Sequence, residues 1–379
     1  MSRHRILCIS LSPIARDGRV LRQLGVLTEH GDVTTVGFGP TPDGVAEHLE
    51  VPPSATLPQT LPGVARLGLR RYAASELAAP AVQHAIRLIG ESRFDLVVAN
   101  EARALGLAFA VSRGAPVWGD MHEWAPGERD QVRLWRLLVA PFMDHLCRTY
   151  LPACAAVTTV SLGIVDEYER VYGVRTELVR NARPWVDLTP TPVVGDGPLR
   201  LVHSGGAEPG RRIDRLIDTA RMVPNATLDL YLVPANDGGK HLAELREQAA
   251  AGPGVTIHDP VAPSDLPREL NGYDVGIFPL VPQNFNMEHT LPNKLFDFLQ
   301  ARLAMAVTPN SEMRRFVSEH GLGVVSDDFS PESFAAALGA LTPERVRGFK
   351  ESAHRQARAL SNSTDVATSR AIVDRLLAR

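Results

Sequence analysis

The sequence predicts an α/β protein of two Rossmann-like, doubly wound domains facing a central cleft, and three observations predict it. A chain of 379 residues exceeds what one hydrophobic core usually supports. Short apolar, β-branched runs alternate with helical segments in both halves, as parallel sheets crossed by helices require. A Pro- and Gly-rich stretch separates the halves, and the rhythm restarts after it.

The elements follow in order. Residues 5–10 read as a fully buried first strand: Ile6-Leu7-Cys8-Ile9 is too short for a secretory leader, and no small-residue cleavage site follows. Residues 19–30 read as a helix with Gly31 as its C-terminal cap. Residues 32–37 and 95–99 read as strands, 105–113 as a helix up to Gly114, and 115–119 and 156–161 as strands. Residues 164–172 form a helix closed by Gly173. Beyond the break, strands are expected at 199–203, 227–233, 255–258 and 275–279, with helices at 213–222, 241–250 and 293–301. A tail helix is expected at about 363–377. The expected division is a domain over 1–185, a linker over 186–198, a second domain over 199–360, and a terminal segment over 361–379.

Composition narrows the function classes. With 44% hydrophobic and 22% charged residues the chain reads as a soluble globular protein, and a net charge of −3 carries no electrostatic footprint for nucleic acid. Cys8, Cys147 and Cys154 are odd in number and lack C-x-x-C spacing, so buried free thiols in a reducing, cytoplasmic setting are expected. No run of 18 apolar residues occurs, so no membrane-spanning helix is expected. Residues 131–143 and 64–72 mix arginines with Trp, Leu, Phe and Tyr. Core packing or an oligomer contact is the favoured reading of both, with Pro141 interrupting the first. Peripheral contact with the inner face of a membrane is the alternative.

Three loops carry candidate chemistry. Ser204-Gly205-Gly206-Ala207-Glu208-Pro209-Gly210-Arg211-Arg212 follows a strand and opens a helix. Its glycines allow close backbone approach to a phosphate, and the helix N-terminus and two arginines favour an anion. An ordinary Gly-rich turn with solvated arginines reads equally well. In Pro292-Asn293-Lys294-Leu295-Phe296-Asp297, Lys294 opposes the helix dipole, which suggests a grip on an anion. Asp297, three residues on, shares its face and suits sugar hydroxyls; a surface Lys–Asp pair is the plainer reading. Gly119-Asp120-Met121-His122-Glu123-Trp124 is an active-site edge or merely a polar loop. No H-x-x-x-H, D-x-D or G-x-S-x-G motif is present, so neither a metal site nor a nucleophile elbow is expected.

Taken in order, these pieces resemble the family-four retaining glycosyltransferases of the GT-B fold. Asp17-Gly18-Arg19-Val20 resembles the family's D-x-R-V, and 94–100 with Asp120-Met121-His122-Glu123 resembles the strand pair ending in D-x-H-E. Residues 157–161 and 179–182 resemble the close of the N-terminal domain, and Ser204-Gly205-Gly206 the start of the donor domain. Pro292-Asn293-Lys294-Leu295-Phe296-Asp297-Phe298-Leu299 is close to P-N-K-x-F-E-Y-L.

The resemblance implies transfer of a sugar from a UDP- or GDP-sugar to an acceptor, with retention, without metal and with no cofactor beyond the nucleotide-sugar co-substrate. His122, Arg211 and Lys294 are the implied catalytic groups. Gly18, Gly205, Gly206, Arg212, Val261, Glu288, His289 and Asp297 are the implied donor contacts, and Asp17, Arg19 and Glu123 lie on the acceptor side. The implied acceptor is a glycan precursor, a lipid-linked sugar or a small metabolite, and the last helix packs back toward the N-terminal domain. Departures are Asp297 where the family has glutamate, His289 eight positions earlier with Glu288 one off register, and the Gly-Arg-Arg of the donor loop. They keep two alternatives open: a GT-B-fold sugar-nucleotide epimerase, or a non-catalytic nucleotide-sugar-binding protein.

Overall fold

A computed structural model describes residues 3–193, 195 and 197–378. Within the expected linker, Val194 and Asp196 lie outside the described residues, as do Met1, Ser2 and Arg379 at the ends. The chain divides into two compact units. Unit 1 holds the chain to Arg180, Gln283–Asn286 and everything from Asp365; unit 2 holds Asn181–Pro282 and Met287–Thr364.

Unit 1 is wound on a parallel sheet of seven strands: β1 (His4–Pro13), β2 (Gly31–Phe38), β3 (Glu47–Glu50), β4 (Leu96–Asn100), β5 (Val117–Asp120), β6 (Ala156–Thr159) and β7 (Glu177–Leu178). Their order is β3-β2-β1-β4-β5-β6-β7. Side chains of a strand alternate between faces, so β1 serves two cores at once. Leu7 and Ile9 join Val97, Ala99 and the helices Ala102–Ser112 and Ala140–Tyr150 on one face. Ile6 and Cys8 join Val98, Trp118 and the helix Gly18–His30 on the other.

The terminal helix Ser363–Leu377 belongs to unit 1, placing Ile372, Val373 and Leu376 in that second core. Arg180 fastens its first turn, its Nη2 lying 2.9 Å from Asp365. Arg370 pairs with Glu29 at 2.8 Å farther along.

Unit 2 repeats the scheme with six parallel strands: β8 (Leu199–Gly206), β9 (Ala226–Val233), β10 (Val255–His258), β11 (Val275–Phe278), β12 (Ala304–Val307) and β13 (Gly323–Val325). The order is β10-β9-β8-β11-β12-β13. The helix Asn293–Gln300 lies close on this sheet because Gly276 of β11 has no side chain. A Cβ there would stand 2.4 Å from the Phe298 ring.

Four expectations change. Gly31 caps its helix as expected, its N–H reaching the Leu27 carbonyl, but in extended backbone at φ −171° rather than left-handed, and it opens β2. A Cβ there would stand 2.3 Å from the His4 carbonyl oxygen, so the glycine serves close approach of β1. β8 runs on through Gly205 and Gly206, which therefore lie in a strand rather than in a loop. The division falls after Arg180, and the described part of the expected linker is fastened to unit 2. Its prolines leave few N–H groups to pair, and side chains meet what remains. Gln300 accepts from Val186 N–H at 3.0 Å, Arg302 donates to the Val186 carbonyl at 2.6 Å, and Lys350 donates to Thr191 at 3.0 Å. Finally, Pro141 does not interrupt its segment. A π-helical turn, Trp135–Val139, leads straight into the helix Ala140–Tyr150, and Ala140 N–H reaches back to the Trp135 carbonyl. The wider turn absorbs the ring that an α-turn would not.

Arg19 and Asp120 are the ion pair on which unit 1 depends, with side chains 8% and 2% exposed. Removing one partner of a buried pair strands the other charge. Arg19→Ala should therefore lower the stability of unit 1 by about 3–5 kcal/mol in denaturant unfolding. A loss below about 0.5 kcal/mol, the range of ordinary surface substitutions, would contradict this.

Candidate functional site

In each sheet the strand order reverses once, at β1/β4 in unit 1 and at β8/β11 in unit 2. Ligands of open α/β sheets bind beyond the carboxyl ends of the strands at such a point. Some of the expected site residues of each unit gather there.

In unit 1, Asp17 caps the helix Gly18–His30, accepting from the N–H groups of Arg19 at 3.1 Å and Val20 at 3.2 Å. Gly18 opens that helix. A Cβ on it would meet only the tip of Arg22, at 3.6 Å, so packing within the chain does not demand a glycine there.

Arg19 was expected beside the acceptor, but its guanidinium is spent inside the unit. Nε and Nη2 grip Asp120 at 2.9 and 2.5 Å, and Nη1 donates to the Val179 carbonyl at 2.7 Å. Burial by itself would raise the Asp120 carboxyl, but Arg19 and then His122 reverse this and hold it well below the usual carboxylate range.

His122 is reached through this network. Its Nε2 lies 3.1 Å from Asn100 Oδ1 and 3.6 Å from Asp120 Oδ2, both acceptors, so that nitrogen carries the proton. Asn100 is oriented by donating Nδ2 to Gln23 Oε1 at 3.0 Å. Nδ1 of His122 faces Glu101 at 3.8 Å.

Glu101 holds a left-handed backbone, φ 67°, at the end of β4, a conformation costly for a residue with a Cβ. Arg103 bridges Glu101 at 3.0 Å and Glu128 at 2.8 Å. Together with His122 and Glu123 these carboxylates line a small recess. Burial, followed by the charges of Glu128 and Glu101, pushes Glu123 up to about 8, so it is largely protonated at neutral pH.

In unit 2, His203 of β8 is buried, its Nδ1 2.9 Å from the Ile277 carbonyl oxygen and its ring parallel to Phe278. Burial, then the nearby Lys294 cation, lowers it to about 3, so it stays neutral. Lys294 comes from the first turn of the helix Asn293–Gln300 and sets its ammonium 5.2 Å from the centre of the Phe278 ring. Gly205 makes room for it. A Cβ there would stand 2.5 Å from Lys294 Cε and 2.6 Å from Nζ, and the φ of +155° also favours glycine. Burial first, and then the Arg211 charge, lowers Lys294 to about 8.

The two arginines of the loop part company. Arg211 is the one whose charge reaches His203 and Lys294. Arg212, left-handed at φ 51°, turns away and grips Asp214 at 3.0 and 2.7 Å. Glu208 is a participant the sequence did not single out. Its carboxylate lies over Gly206, where a Cβ would meet it, and stands 3.8 Å from Arg211.

Asp297 neighbours Lys294 on the helix but is buried and held by Arg183, whose Nε lies 2.6 Å away. Arg183 was another omission: nothing in its surroundings in the sequence signals a partner 114 residues on. Glu288 is committed as well, accepting from Ser311 N–H at 3.1 Å and Oγ at 2.5 Å at the start of the helix Ser311–Glu319. His289 lies in the turn after it, and Val261 packs on the core beneath β9 and β11. Lys294, Gly205, Gly206 and Arg211 are thus brought together, while Arg212, Glu288 and Val261 serve elsewhere in the unit.

The comparisons with known proteins coincide with these units. The model of Glycosyltransferase Family 4 matches residues 20–189, and that of Glycosyl transferases group 1 matches residues 198–343. The chain is a family-four-like glycosyltransferase of the GT-B fold. No curated protein matches it. Among solved structures, this glycosyltransferase is similar to sucrose-phosphate synthase from Thermosynechococcus elongatus, at 13% identity and TM-score 0.73 over 99% of each chain. It is similar to Anabaena HepE in complex with UDP-glucose, at 15% identity and TM-score 0.69 over 100% of each chain. It also resembles α,α-trehalose 6-phosphate synthase from Burkholderia multivorans, at 11% identity and TM-score 0.66 over 100% of this chain and 99% of the other.

Glu123 gives this glycosyltransferase a distinct pH response. Its folded carboxyl titrates at about 8, above the 4.5 of the exposed group, so between these values the folded state holds the extra proton. Stability therefore falls as pH rises from about 5 and levels off above about 8. Glu123→Gln, which cannot ionise, should flatten that part of the profile in thermal unfolding. An unchanged slope would show that Glu123 is not the group responsible.

Proposed function

We propose that the chain transfers a sugar from a uridine-diphosphate sugar to an acceptor, with unit 2 holding the donor and unit 1 the acceptor. One observation carries this reading. The Lys294 ammonium is set against Gly205 at the end of β8, with Arg211 beside it, at the point where the second sheet reverses its order. Two neighbouring cations, with the Arg211 charge lowering the affinity of Lys294 for its proton, call for an anion, and a diphosphate carries the required charge and size. Uridine is favoured because the similar HepE structure holds UDP-glucose.

The roles follow from where charge develops. As the bond between sugar and diphosphate breaks, negative charge grows on the leaving oxygens, and we assign Lys294 and Arg211 to it. Removing one such donor typically costs about 10²–10³ in rate. These cations do what a metal would otherwise do, so we assign no metal to the reaction. Positive character grows on the sugar, and we assign His122, held by Asn100 and Asp120, to its side of the reaction. Attack from the face the diphosphate leaves, with a diphosphate oxygen taking the acceptor's proton, gives retention. The Gly18 backbone is assigned to the donor because a Cβ there would meet only the tip of Arg22, at 3.6 Å, so packing does not account for the glycine.

Titration with UDP, GDP, TDP and ADP tests the reading by thermal shift. UDP at 100 times its Kd should add about 2.7 kcal/mol of apparent stability. Lys294→Ala should abolish the shift. Lys294 loses its cation as pH passes about 8, so UDP affinity should weaken from pH 7 to about 9 in the native chain. Absence of a shift with all four nucleotides would sink the proposal, and interconversion of the donor's sugar without an acceptor would convert it into an epimerase.

A further inference from the structure

The two arginine-rich segments singled out in the sequence meet in unit 1. The helix Leu61–Gly68 packs beside the π-turn Trp135–Val139, with Leu138 Cδ2 4.0 Å from where a Cβ on Gly68 would stand. Each segment sends part of its apolar content inward: Leu67, Trp135, Phe142 and Met143 are buried. The rest points out. Of the thirteen large apolar side chains that are exposed among the described residues, six lie here: Leu61, Val64, Leu69, Val132, Leu134 and Leu137. Leu61 is 89% exposed, and Leu69, Leu134 and Leu137 are 68–69% exposed. Single exposed leucines need no explanation, but a contiguous group of them does.

Within the two segments the charges have one sign. Neither 61–72 nor 131–143 contains an Asp or a Glu, and both contain arginines. Arg66, Arg70, Arg71, Arg133 and Arg136 are all exposed, and no carboxylate pairs with any of them among the described residues. A protein partner's face would have to offer apolar cover and several carboxylates together. A bilayer of anionic lipids offers both over any area, with acyl chains below the headgroups and phosphates at their level. Leucines directed outward between unpaired arginines have the depth order such a surface requires, apolar tips inward and cations at the headgroups.

We propose that this face of unit 1 docks the protein on an anionic membrane surface, with Leu134, Leu137 and Leu69 entering the headgroup region and the five arginines binding lipid phosphates. The docking is independent of the donor chemistry and would stand if that reading failed. It also fits the segment's π-turn, which rotates Leu134 and Leu137 outward while Trp135 stays in the core.

Cosedimentation of the full chain with vesicles tests this. The chain should bind vesicles of phosphatidylcholine containing about 30% phosphatidylglycerol and leave pure phosphatidylcholine unbound, because each arginine near the surface is worth about fivefold in partitioning. Arg70→Ser with Arg133→Ser should lower binding by about 25-fold, and raised salt should do the same. Leu134→Ser with Leu137→Ser should reduce it at low salt too, with unfolding temperature and UDP response unchanged since both side chains are exposed. Failure to bind anionic vesicles overturns the proposal, as does full binding by the leucine variant. A dimer in sedimentation equilibrium that the leucine variant dissociates, with no vesicle binding, would assign the face to a second copy of the chain.

Discussion

The reversal of strand order within each sheet is the constraint on which the rest of this structure depends. Right-handed crossovers from a central strand carry the chain first toward one edge and later toward the other. Beside β1 and beside β8 the two series diverge, the place where an open α/β sheet has its crevice. Whatever stands at those ends faces an opening. In unit 1 these are Asp17, Asn100, Glu101 and His122; in unit 2 they are Gly205, Gly206 and, from the next helix, Lys294. The same winding forces the central strands to feed two cores, so the middles of β1, β4 and β8 are apolar on both faces and their polar residues fall at the strand ends.

That double burial made β1, β4 and β11 legible in the sequence, and the edge strand β10 was read as well, whereas the edges β3, β7 and β13 and the interior strand β12 were not. β1, β4 and β11 are continuous apolar runs, and each was placed within a few residues. β3 is Glu-His-Leu-Glu, β7 is Glu-Leu, and β13 is three half-buried residues; with one side exposed they carry no run and no alternation. Glycines were read correctly where their function is local, as at Gly173, left-handed at φ 65°. Gly31, Gly205 and Gly276 were harder, because what each glycine admits is a carbonyl, an ammonium or a ring from a distant part of the chain. The site followed the same division. Lys294 announced itself by opposing its own helix dipole, whereas Glu208 and Arg183 matter through partners that only folding supplies.

Charge is treated in two ways in the two units, and the contrast separates scaffold from site. Around Asp120 every lone pair has a use: Arg19 from two directions, Thr158 at 2.6 Å, Gln23 at 3.3 Å and His122 beyond. Folding has neutralised that carboxylate, and the network can only hold His122 still. Asp297, closed by Arg183, is of the same kind. The family's glutamate at this place is one methylene longer; the aspartate sits back in the wall of the unit, and a guanidinium completes what it lacks.

Lys294 is the opposite case. Its helix dipole, its burial and Arg211 all disfavour the ammonium, and Asp297 and Glu208 compensate only partly, since its affinity for the proton remains below that of a free lysine. No packing argument requires this. An uncharged side chain of similar length would fill the space against Gly205 and Phe278 without the desolvation cost. The unit therefore carries an electrostatic penalty that folding does not relieve. Glu208, over Gly206 and close to Arg211, offsets part of the penalty. An exposed carboxylate on a short turn leaves at little cost, so it softens the resting state without competing strongly for the position. A site built in this way is less stable than it could be, and the instability is located at the strand ends where a leaving diphosphate would need it.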